Sequence, residues 1–198
     1  MGAAFTPEEQ AIIKADLVSA GRKFLSKYGM RKTSVDQIVA EVGISKGTFY
    51  KFYKTKELLF FDVMEAIHEE VYIGVAKVFD ETKNLPDVDR VEKALIYALQ
   101  VFSESSFLTF MTDELPIMVR KIPPEKIKMH SADDALNISN LLKVYGIHLP
   151  YSPEFISSLV RALFSLLREK DNIGEAHSEE VIRFIIHSTC LSIFSNNP

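Results

Sequence analysis

Residues 45–53, Ser-Lys-Gly-Thr-Phe-Tyr-Lys-Phe-Tyr, form a short two-faced segment that strongly constrains what this chain can fold into. With Ser45 as the N-cap, helical spacing places Phe49, Phe52 and Tyr53 within about a third of the helix circumference. The opposite side carries the polar and basic positions, namely Lys46, Gly47, Tyr50, Lys51 and Lys54. Its apolar side is expected to dock on a core, whereas lysines beside a glycine suit a closely approached polyanion. The pattern alone also fits a solvated lysine-rich surface, so the flanking segments decide between the two.

A second short helix is predicted immediately before this segment. Its apolar residues recur at positions i, i+3, i+4 and i+7, and they are Val35, Ile38, Val39 and Val42. Gly43 ends this helix. At the start of the helix, a capping box is formed by residues 34 and 37 or by residues 33 and 36, and the sequence does not decide which. Two short helices joined by a glycine-containing turn form the helix-turn-helix pattern, whose second helix enters the major groove of DNA.

A longer helix is predicted at the start of the chain. Thr6 is its expected N-cap, Pro7 occupies the first helical position, and Glu9 completes a capping box. Apolar residues then recur at helical spacing, and Gly29 marks the end, so the helix is predicted over residues 7–28.

The charge is distributed unevenly along the 198 residues. Residues 1–56 carry ten Lys/Arg and five Asp/Glu, whereas the remaining residues carry thirteen and twenty-two, and the net charge is −4. A basic N-terminal quarter on an acidic body indicates that one end of the chain meets an anion. The single cysteine, Cys190, excludes an internal disulfide and paired-cysteine zinc motifs and favours the cytosol.

The rest of the chain is predicted to be helical as well. A helix capped by Thr55 extends over about 25 residues to a break at residues 82–87, and the pattern continues over 88–103 and 106–115. Pro116 is expected to kink or end the latter segment, and Pro123 and Pro124 open another. Residues 131–145 form a further helix, and two strongly apolar helices begin at Ser152-Pro153 and Ser178, with a loop over residues 171–177. No alternating β pattern of useful length is present, so the fold class is all-α.

The N-terminal sixty residues resemble a known family. The quoted stretches are Gly29, Thr33-Ser34-Val35-Asp36-Gln37-Ile38-Val39, Gly43-Ile44-Ser45-Lys46-Gly47-Thr48-Phe49-Tyr50-Lys51-Phe52-Tyr53 and Lys54-Thr55-Lys56-Glu57-Leu58-Leu59. In order and spacing they closely resemble the DNA-binding domain of TetR/AcrR-family transcriptional regulators. Lys51 departs from the family's frequent histidine, and Phe52-Tyr53 reverses the common order of those aromatics. The resemblance implies a three-helix helix-turn-helix domain over residues 1–55 and a larger α-helical ligand-binding and dimerisation domain over residues 56–198.

The resemblance implies roles in binding double-stranded operator DNA at the matching positions. Thr33 and Ser34 would bind a phosphate at the start of the second helix, Tyr50 would bind another, and Lys56 would contact the DNA backbone. The other implied contacts, to base edges or phosphates in the groove, are Ser45, Lys46, Gly47, Thr48 and Lys51, with Gly47 permitting close approach.

The acidic body resembles the family's effector-binding domain, which implies a pocket for a lipophilic or aromatic small molecule. Its candidate lining residues are Met64, His68, Tyr72, Phe102, Phe107, Phe110, Met111, Glu114 and Met118. The two last apolar helices imply a homodimer with the candidate interface residues Phe155, Leu159, Leu163, Ile182, Ile186 and Cys190. The alternatives are plain core packing for the pocket residues and a buried helix pair of a monomer for the last two helices.

Other classes of function have little support in the sequence. No nucleophile-elbow, zincin, Walker or dinucleotide-binding motif is present, and the five histidines lack ligand spacing. We therefore expect no catalytic residue, metal site or cofactor. The longest uncharged stretch, residues 184–198, is too short to span a bilayer, and residues 1–10 show no secretory signal. The sequence predicts a cytoplasmic, homodimeric, ligand-responsive repressor that a small lipophilic effector releases from a pseudo-palindromic operator. The alternatives are an activator, a regulator controlled by a protein partner, or an all-α enzyme or carrier.

Overall fold

The computed structural model describes residues 5–103, 105–174 and 176–195, and within these ranges it contains helices and turns but no strands. The all-α fold class is confirmed. The chain divides into two compact units, the first formed by Met1–His68 with Ser105–Ile122 and the second by Glu69–Glu104 with Pro123–Pro198. The first unit is thus larger than the predicted domain of residues 1–55. The domain boundary stays a prediction, because compact packing alone does not define an independent domain.

The first unit contains the predicted helix-turn-helix. Its helices are α1 (Pro7–Lys32), α2 (Val35–Val42), α3 (Lys46–Phe52) and the first half of α4 (Lys56–Glu81). The later part of the chain adds α6 (Ser105–Thr109), a π-helical turn (Phe110–Glu114) and α7 (Leu115–Val119). The side chains of Leu17, Ile38, Phe49, Leu59, Phe60, Phe110 and Met118 are almost completely buried and form its core. This core holds the short helices α2 and α3, which are too short to be stable alone.

The helix starts of the first unit are fixed by local hydrogen bonds. Thr6 and Glu9 form the predicted capping box, with the Glu9 amide donating to Thr6 Oγ1 at 3.2 Å. α1 continues to Lys32, four residues further than predicted, but Gly29 has a non-helical backbone with φ +77°. The chain therefore breaks at Gly29, as the sequence indicates, and then adds one more turn.

The second unit is formed by the second half of α4 and by six later elements. These are α5 (Asp87–Phe102), α8 (Pro124–Val144), α9 (Pro153–Ser165), a 3-10 turn (Leu166–Glu169), α10 (Lys170–Ile173) and α11 (Ser178–Ser195). α5 packs on α11, and α8 packs on α9. The ring and hydroxyl of Tyr97 on α5 lie against Gly74 of α4, where an added Cβ atom would overlap them. Gly74 therefore leaves the space that the Tyr97 ring occupies.

Three predicted helix bounds need correction. α8 begins at Pro124, seven residues before the predicted start, because the two prolines fix its first turn. The predicted loop over residues 171–177 is helical as far as Ile173. Pro116 does not end the helical segment, because the chain passes through the π-helical turn and continues as α7. Pro116 lies in the first turn of α7, where the backbone N–H that proline lacks is not needed for a helix hydrogen bond.

A search of the described residues found no single helix long and apolar enough to cross a membrane. Only the bent pair Asp87–Phe102 with Phe107–Val119 meets the length and composition requirements when taken together.

Candidate nucleic-acid interface

The turn between α2 and α3 has well-defined hydrogen bonds at each end. The Gln37 amide donates to Ser34 Oγ at 3.2 Å and the Ser34 amide donates to Gln37 Oε1 at 2.8 Å, so the Ser34–Gln37 capping box is the one present. Gly43 ends α2 in the left-handed conformation at φ +75°, and its amide donates to the Val39 carbonyl. Ser45 caps α3 by accepting the Thr48 amide at 3.0 Å. These contacts confirm the predicted helix boundaries of the motif.

The inner face of α3 fixes the helix to the rest of the first unit. Phe49 is completely buried, and the Tyr53 side chain is nearly so. The Tyr53 hydroxyl donates to Asp62 Oδ2 at 2.9 Å, and the same carboxylate forms an ion pair with Lys14 at 3.1 Å. Burial, together with the negative charge of Asp62, raises the pKa of Tyr53 well above its usual value. Tyr53 is therefore a neutral hydrogen-bonded anchor.

The outer face of α3 is exposed. Tyr50 keeps 48% of its surface, Ser45, Lys46, Gly47 and Lys51 are also exposed, and Thr48 is half-buried against Ser45. No heavy atom comes within 3.4 Å of a Cβ added at Gly47, so this glycine is not required by packing within the chain. The exposed hydroxyl, ammonium and bare backbone groups lie on one helix of major-groove size, which suits a phosphate backbone and base edges.

Two residues without a predicted role in DNA binding, Asp36 and Phe5, contact the lysines of this face. Lys46 Nζ lies 3.0 Å from Asp36 Oδ1 on α2, and this hydrogen-bonded pair raises the pKa of Lys46. Lys51 Nζ lies 5.7 Å from the centre of the Phe5 ring. Asp36 was visible in the sequence only as a capping alternative, and its i+10 spacing to Lys46 crosses the turn. Both lysines therefore have intramolecular partners that DNA must displace or accommodate.

At the start of α2, the two predicted phosphate contacts differ in exposure. Ser34 is exposed, whereas Thr33 keeps only 1% of its surface. The Thr33 hydroxyl donates to the Gly29 carbonyl at 2.7 Å, and its amide donates to Met30. The hydroxyl and amide of Thr33 thus point into the break of α1, and its phosphate contact stays a prediction.

Lys56 is also held by the end of α1. Its ammonium donates to the carbonyls of Met30 at 2.8 Å, Arg31 at 3.3 Å and Thr33 at 2.7 Å. Burial lowers the pKa of Lys56, although Glu57 and Glu114 favour its charged form. The ammonium thus caps carbonyl groups at the end of α1, and the proposed interface does not use it as a phosphate contact.

Glu114, in the π-helical turn, binds backbone amides at the same break in α1. Its carboxylate is 6% exposed and accepts the Met30 amide at 2.6 Å and the Arg31 amide at 2.9 Å, one on each oxygen. A Cβ atom at Gly29 would lie 2.9 Å from Glu114 Oε1, so the glycine admits the carboxylate. A cavity of about 630 Å³ opens beside this contact.

The structure brings the predicted effector residues into both units. Met64, Phe107, Phe110 and Met118 are buried in the first unit, with His68, Met111 and Glu114 in the same unit. Tyr72 and Phe102 belong to the second unit, where the Tyr72 hydroxyl donates to Asp134 Oδ1 at 3.0 Å. Of this set, Phe110 and Glu114 line the 630 Å³ cavity. The effector roles of all nine residues stay predictions.

The predicted dimer residues differ in their exposure. Leu163, Ile182, Ile186 and Cys190 are 5% exposed or less and pack inside the chain, where burial raises the pKa of Cys190 to about 12. These four are therefore not available to a partner. Phe155 is 48% exposed and Leu159 is half-buried, and both line a groove of about 380 Å³ with Phe184, which is 69% exposed. The exposed apolar side chains of α9 and α11 are Phe155, Phe184 and Leu191.

Comparison with known proteins gives matches for the motif and for the whole fold. Residues 17–63 match the profile of the bacterial regulatory proteins of the tetR family. The chain is 31% identical over 183 residues to the uncharacterized HTH-type transcriptional regulator YerO of Bacillus subtilis (strain 168), covering 87% of this chain and 62% of that protein. It is 22% identical over 147 residues to YuxN, similarly described and from the same organism, covering 70% of this chain and 48% of YuxN. The chain thus spans only about half to three fifths of the length of these relatives.

The fold also matches a crystal structure of a TetR transcriptional regulator from Rhodococcus sp. RHA1. The TM-score is 0.67, the sequence identity is 16%, and the match covers 96% of this chain and 100% of the other. At this identity the similarity establishes the helical fold alone.

Proposed function

The chain belongs to the TetR family of bacterial regulatory proteins, and from that premise we propose that it is a homodimeric transcriptional regulator that binds a pseudo-palindromic duplex and is released by a small effector. We favour repression over activation, since release by an effector relieves a repressor directly.

The observation that carries the proposal is the division of α3 into a buried and an exposed face. Phe49 and Tyr53 fix the helix from inside, while Lys46, Gly47 and Tyr50 remain exposed on the other side. Ser34 adds an exposed hydroxyl at the N-terminus of α2, where the helix dipole favours a phosphate. The arrangement supports a helix that enters the major groove while α2 contacts the backbone.

Dimerisation is proposed to use the exposed apolar side chains of α9 and α11. Phe155 follows Tyr151 at i+4 and stacks on it with ring centres 4.8 Å apart, while Phe184 and Leu191 lie seven residues apart along one face. Large exposed aromatic and aliphatic side chains grouped on one surface are typical of a protein–protein interface. A twofold dimer would present two copies of α3 to two half-sites.

Effector control is proposed to act as a shift between two populations. The effector must bind the form that is unable to contact DNA more tightly than the competent form, because otherwise it shifts nothing. α4 contributes residues to both units and is the proposed route of transmission.

Selection from a random duplex library tests the proposal. The full chain is incubated with the library at low salt, and bound duplexes are amplified and sequenced through several rounds. We expect enrichment of an inverted repeat whose half-site centres lie about 34–36 Å, or one helical turn, apart or a multiple of that distance. Enrichment of no sequence, together with no binding to any duplex at low salt, would contradict it.

A reporter assay separates repression from activation. The selected site is placed in a bacterial promoter that drives a reporter gene. If the protein is a repressor, reporter expression should rise when the gene encoding the protein is deleted, and if it is an activator, reporter expression should fall.

A further inference from the structure

The first unit contains the cavity of about 630 Å³ beside the break in α1. Its volume falls within the range of small-molecule sites. Tyr28, which is 40% exposed, gives it apolar surface next to the buried Leu25 and Phe110, and Lys27, Arg31 and Lys32 are cationic. Asp113 and Glu114 supply two carboxylates, of which Glu114 is already bound to backbone amides. A site with this lining favours an amphipathic molecule with an anionic end.

The second observation is that the chain already holds a carboxylate against this cavity. The Met30 and Arg31 amides each donate to one oxygen of Glu114, at 2.6 Å and 2.9 Å. Gly29, at φ +77°, leaves the space that the carboxylate occupies. The amide pair is therefore a carboxylate receptor whose present occupant is a side chain.

We propose that this cavity binds an organic monocarboxylate, whose carboxylate takes the place of Glu114 on the amides of Met30 and Arg31 and whose apolar part lies against the ring of Tyr28. This exchange of one carboxylate for another keeps both amides paired, so the buried donors are never left unsatisfied. The released Glu114 becomes hydrated, and apolar contact in the cavity supplies the net preference for the ligand.

Exchange at this position would act on the DNA-binding surface. Ser34 follows the Met30–Arg31 amides by only a few residues, and Lys56 holds the carbonyls of Met30, Arg31 and Thr33 from the other side. Loss of the Glu114 contact therefore changes the support of the segment that places the N-terminus of α2. This consequence rests on the proposed function, whereas the binding of the carboxylate does not.

Calorimetric titration of the full chain without DNA tests the binding. Octanoate is the probe, and octylamine and 1-octanol at matched ionic strength are the controls for charge. We expect octanoate to bind one per chain and both controls to bind at least tenfold more weakly. Saturable binding of all three compounds with equal affinity overturns the proposal. It is also overturned if octanoate binds neither the wild type nor the Glu114 variants described below.

Variants of the internal competitor give the sharper result. Glu114→Ala empties the amide pair, and Glu114→Gln keeps the size but removes the charge, so each should bind octanoate at least tenfold more tightly than the wild type. Glu114→Gln serves if Glu114→Ala fails to fold, as judged by helical circular dichroism. Glu41→Gln, which removes an exposed carboxylate of α2 outside the cavity, should stay within threefold of the wild type. If octanoate binds the Glu114 variants no more tightly, it is held by the rim cations instead and the proposal is wrong.

The two proposals fail separately. Absence of duplex binding by the ligand-free chain contradicts the proposed function and leaves the titration unaffected. Normal duplex binding without octanoate binding contradicts only the carboxylate site.

Discussion

Lys46 Nζ lies 3.0 Å from Asp36 Oδ1, so this exposed lysine of α3 is paired with a carboxylate of α2 in the absence of DNA. Both side chains are largely exposed, at 52% and 72%. Such a pair adds little to stability, but its negative partner lies beside the surface that a phosphate must approach.

Asp36→Asn is therefore expected to strengthen binding to duplex DNA several-fold at low salt. The substitution frees Lys46 and removes a charge that repels phosphates, so the gain should shrink as salt rises. Fluorescence anisotropy of a labelled duplex across a salt series measures both effects. Glu41→Gln, which removes an exposed carboxylate of α2 paired with Lys23, is the control. Equal gains from the two variants would show a general charge effect rather than the release of Lys46.

Gly47→Ala separates folding from DNA binding. Alanine in a helix interior is more stable than glycine by roughly 0.5–1 kcal/mol, and part of this gain is expected at Gly47, which lies in the first turn of α3 where nothing opposes a Cβ atom. Urea denaturation should show this gain, while anisotropy should show weaker duplex binding, because the methyl group holds the backbone away from the DNA. A variant that is both more stable and equally tight in DNA binding would contradict the close approach proposed at Gly47.

Gly74→Ala is expected to destabilise the protein by about 1–3 kcal/mol, since the added methyl group overlaps the Tyr97 ring and forces that side chain out of its position. Chemical denaturation measures the loss. The double variant Gly74→Ala with Tyr97→Leu, which shortens the opposing side chain, should recover part of it. No loss in the single variant would show that the Tyr97 ring is not fixed against Gly74.

The buried Glu57 makes part of the stability depend on pH. Burial alone would raise the pKa of Glu57, but the hydrogen bond from Lys121, at 2.7 Å, makes the net shift downward. A carboxyl with a lowered pKa in the folded state contributes stability above its unfolded value of 4.5 and loses it as pH falls through the folded pKa. Lys121→Met should therefore destabilise the protein most near pH 7, with the difference from the wild type shrinking below pH 4.5.

Urea denaturation of both proteins at several pH values checks this expectation. Arg183→Met, which breaks an exposed pair with Glu179, is the control and should have almost no effect at any pH. A Lys121→Met difference that is constant from neutral to acidic pH would mean that the Glu57–Lys121 contact is not coupled to folding.

The parts of the fold that local sequence determines were predictable. The box at Thr6–Glu9, the Ser45 cap and the glycine breaks depend on residues three or four positions apart, and the structure confirms them. At the start of α2 the sequence left two boxes open, and the structure contains the one formed by Ser34 and Gln37. The apolar side of α3 was predictable for the same reason, because a helix repeats within four residues.

Contacts between distant segments could not be predicted in this way. Glu114 and Met30 are 84 positions apart, and no pattern in either segment indicates that a carboxylate meets those amides. Lys56 carried a predicted DNA contact by resemblance, yet three carbonyls at the end of α1 hold its ammonium. Burial of Ile186 and Cys190 likewise depends on packing of α11 against α5, which an apolar helix pattern does not distinguish from a dimer interface.

Binding of DNA by the exposed face of α3 can be measured by fluorescence anisotropy with the selected duplex at fixed salt. Tyr50→Phe and Lys46→Ala should each weaken binding by about fivefold or more, because each removes a direct contact in both half-sites. Lys23→Ala, a cation outside α3, should change it less than twofold. Sedimentation and circular dichroism confirm that the variants keep the assembly and helicity of the wild type. If both α3 variants are folded like the wild type and bind the duplex with unchanged affinity, the exposed face of α3 is not the DNA-binding surface.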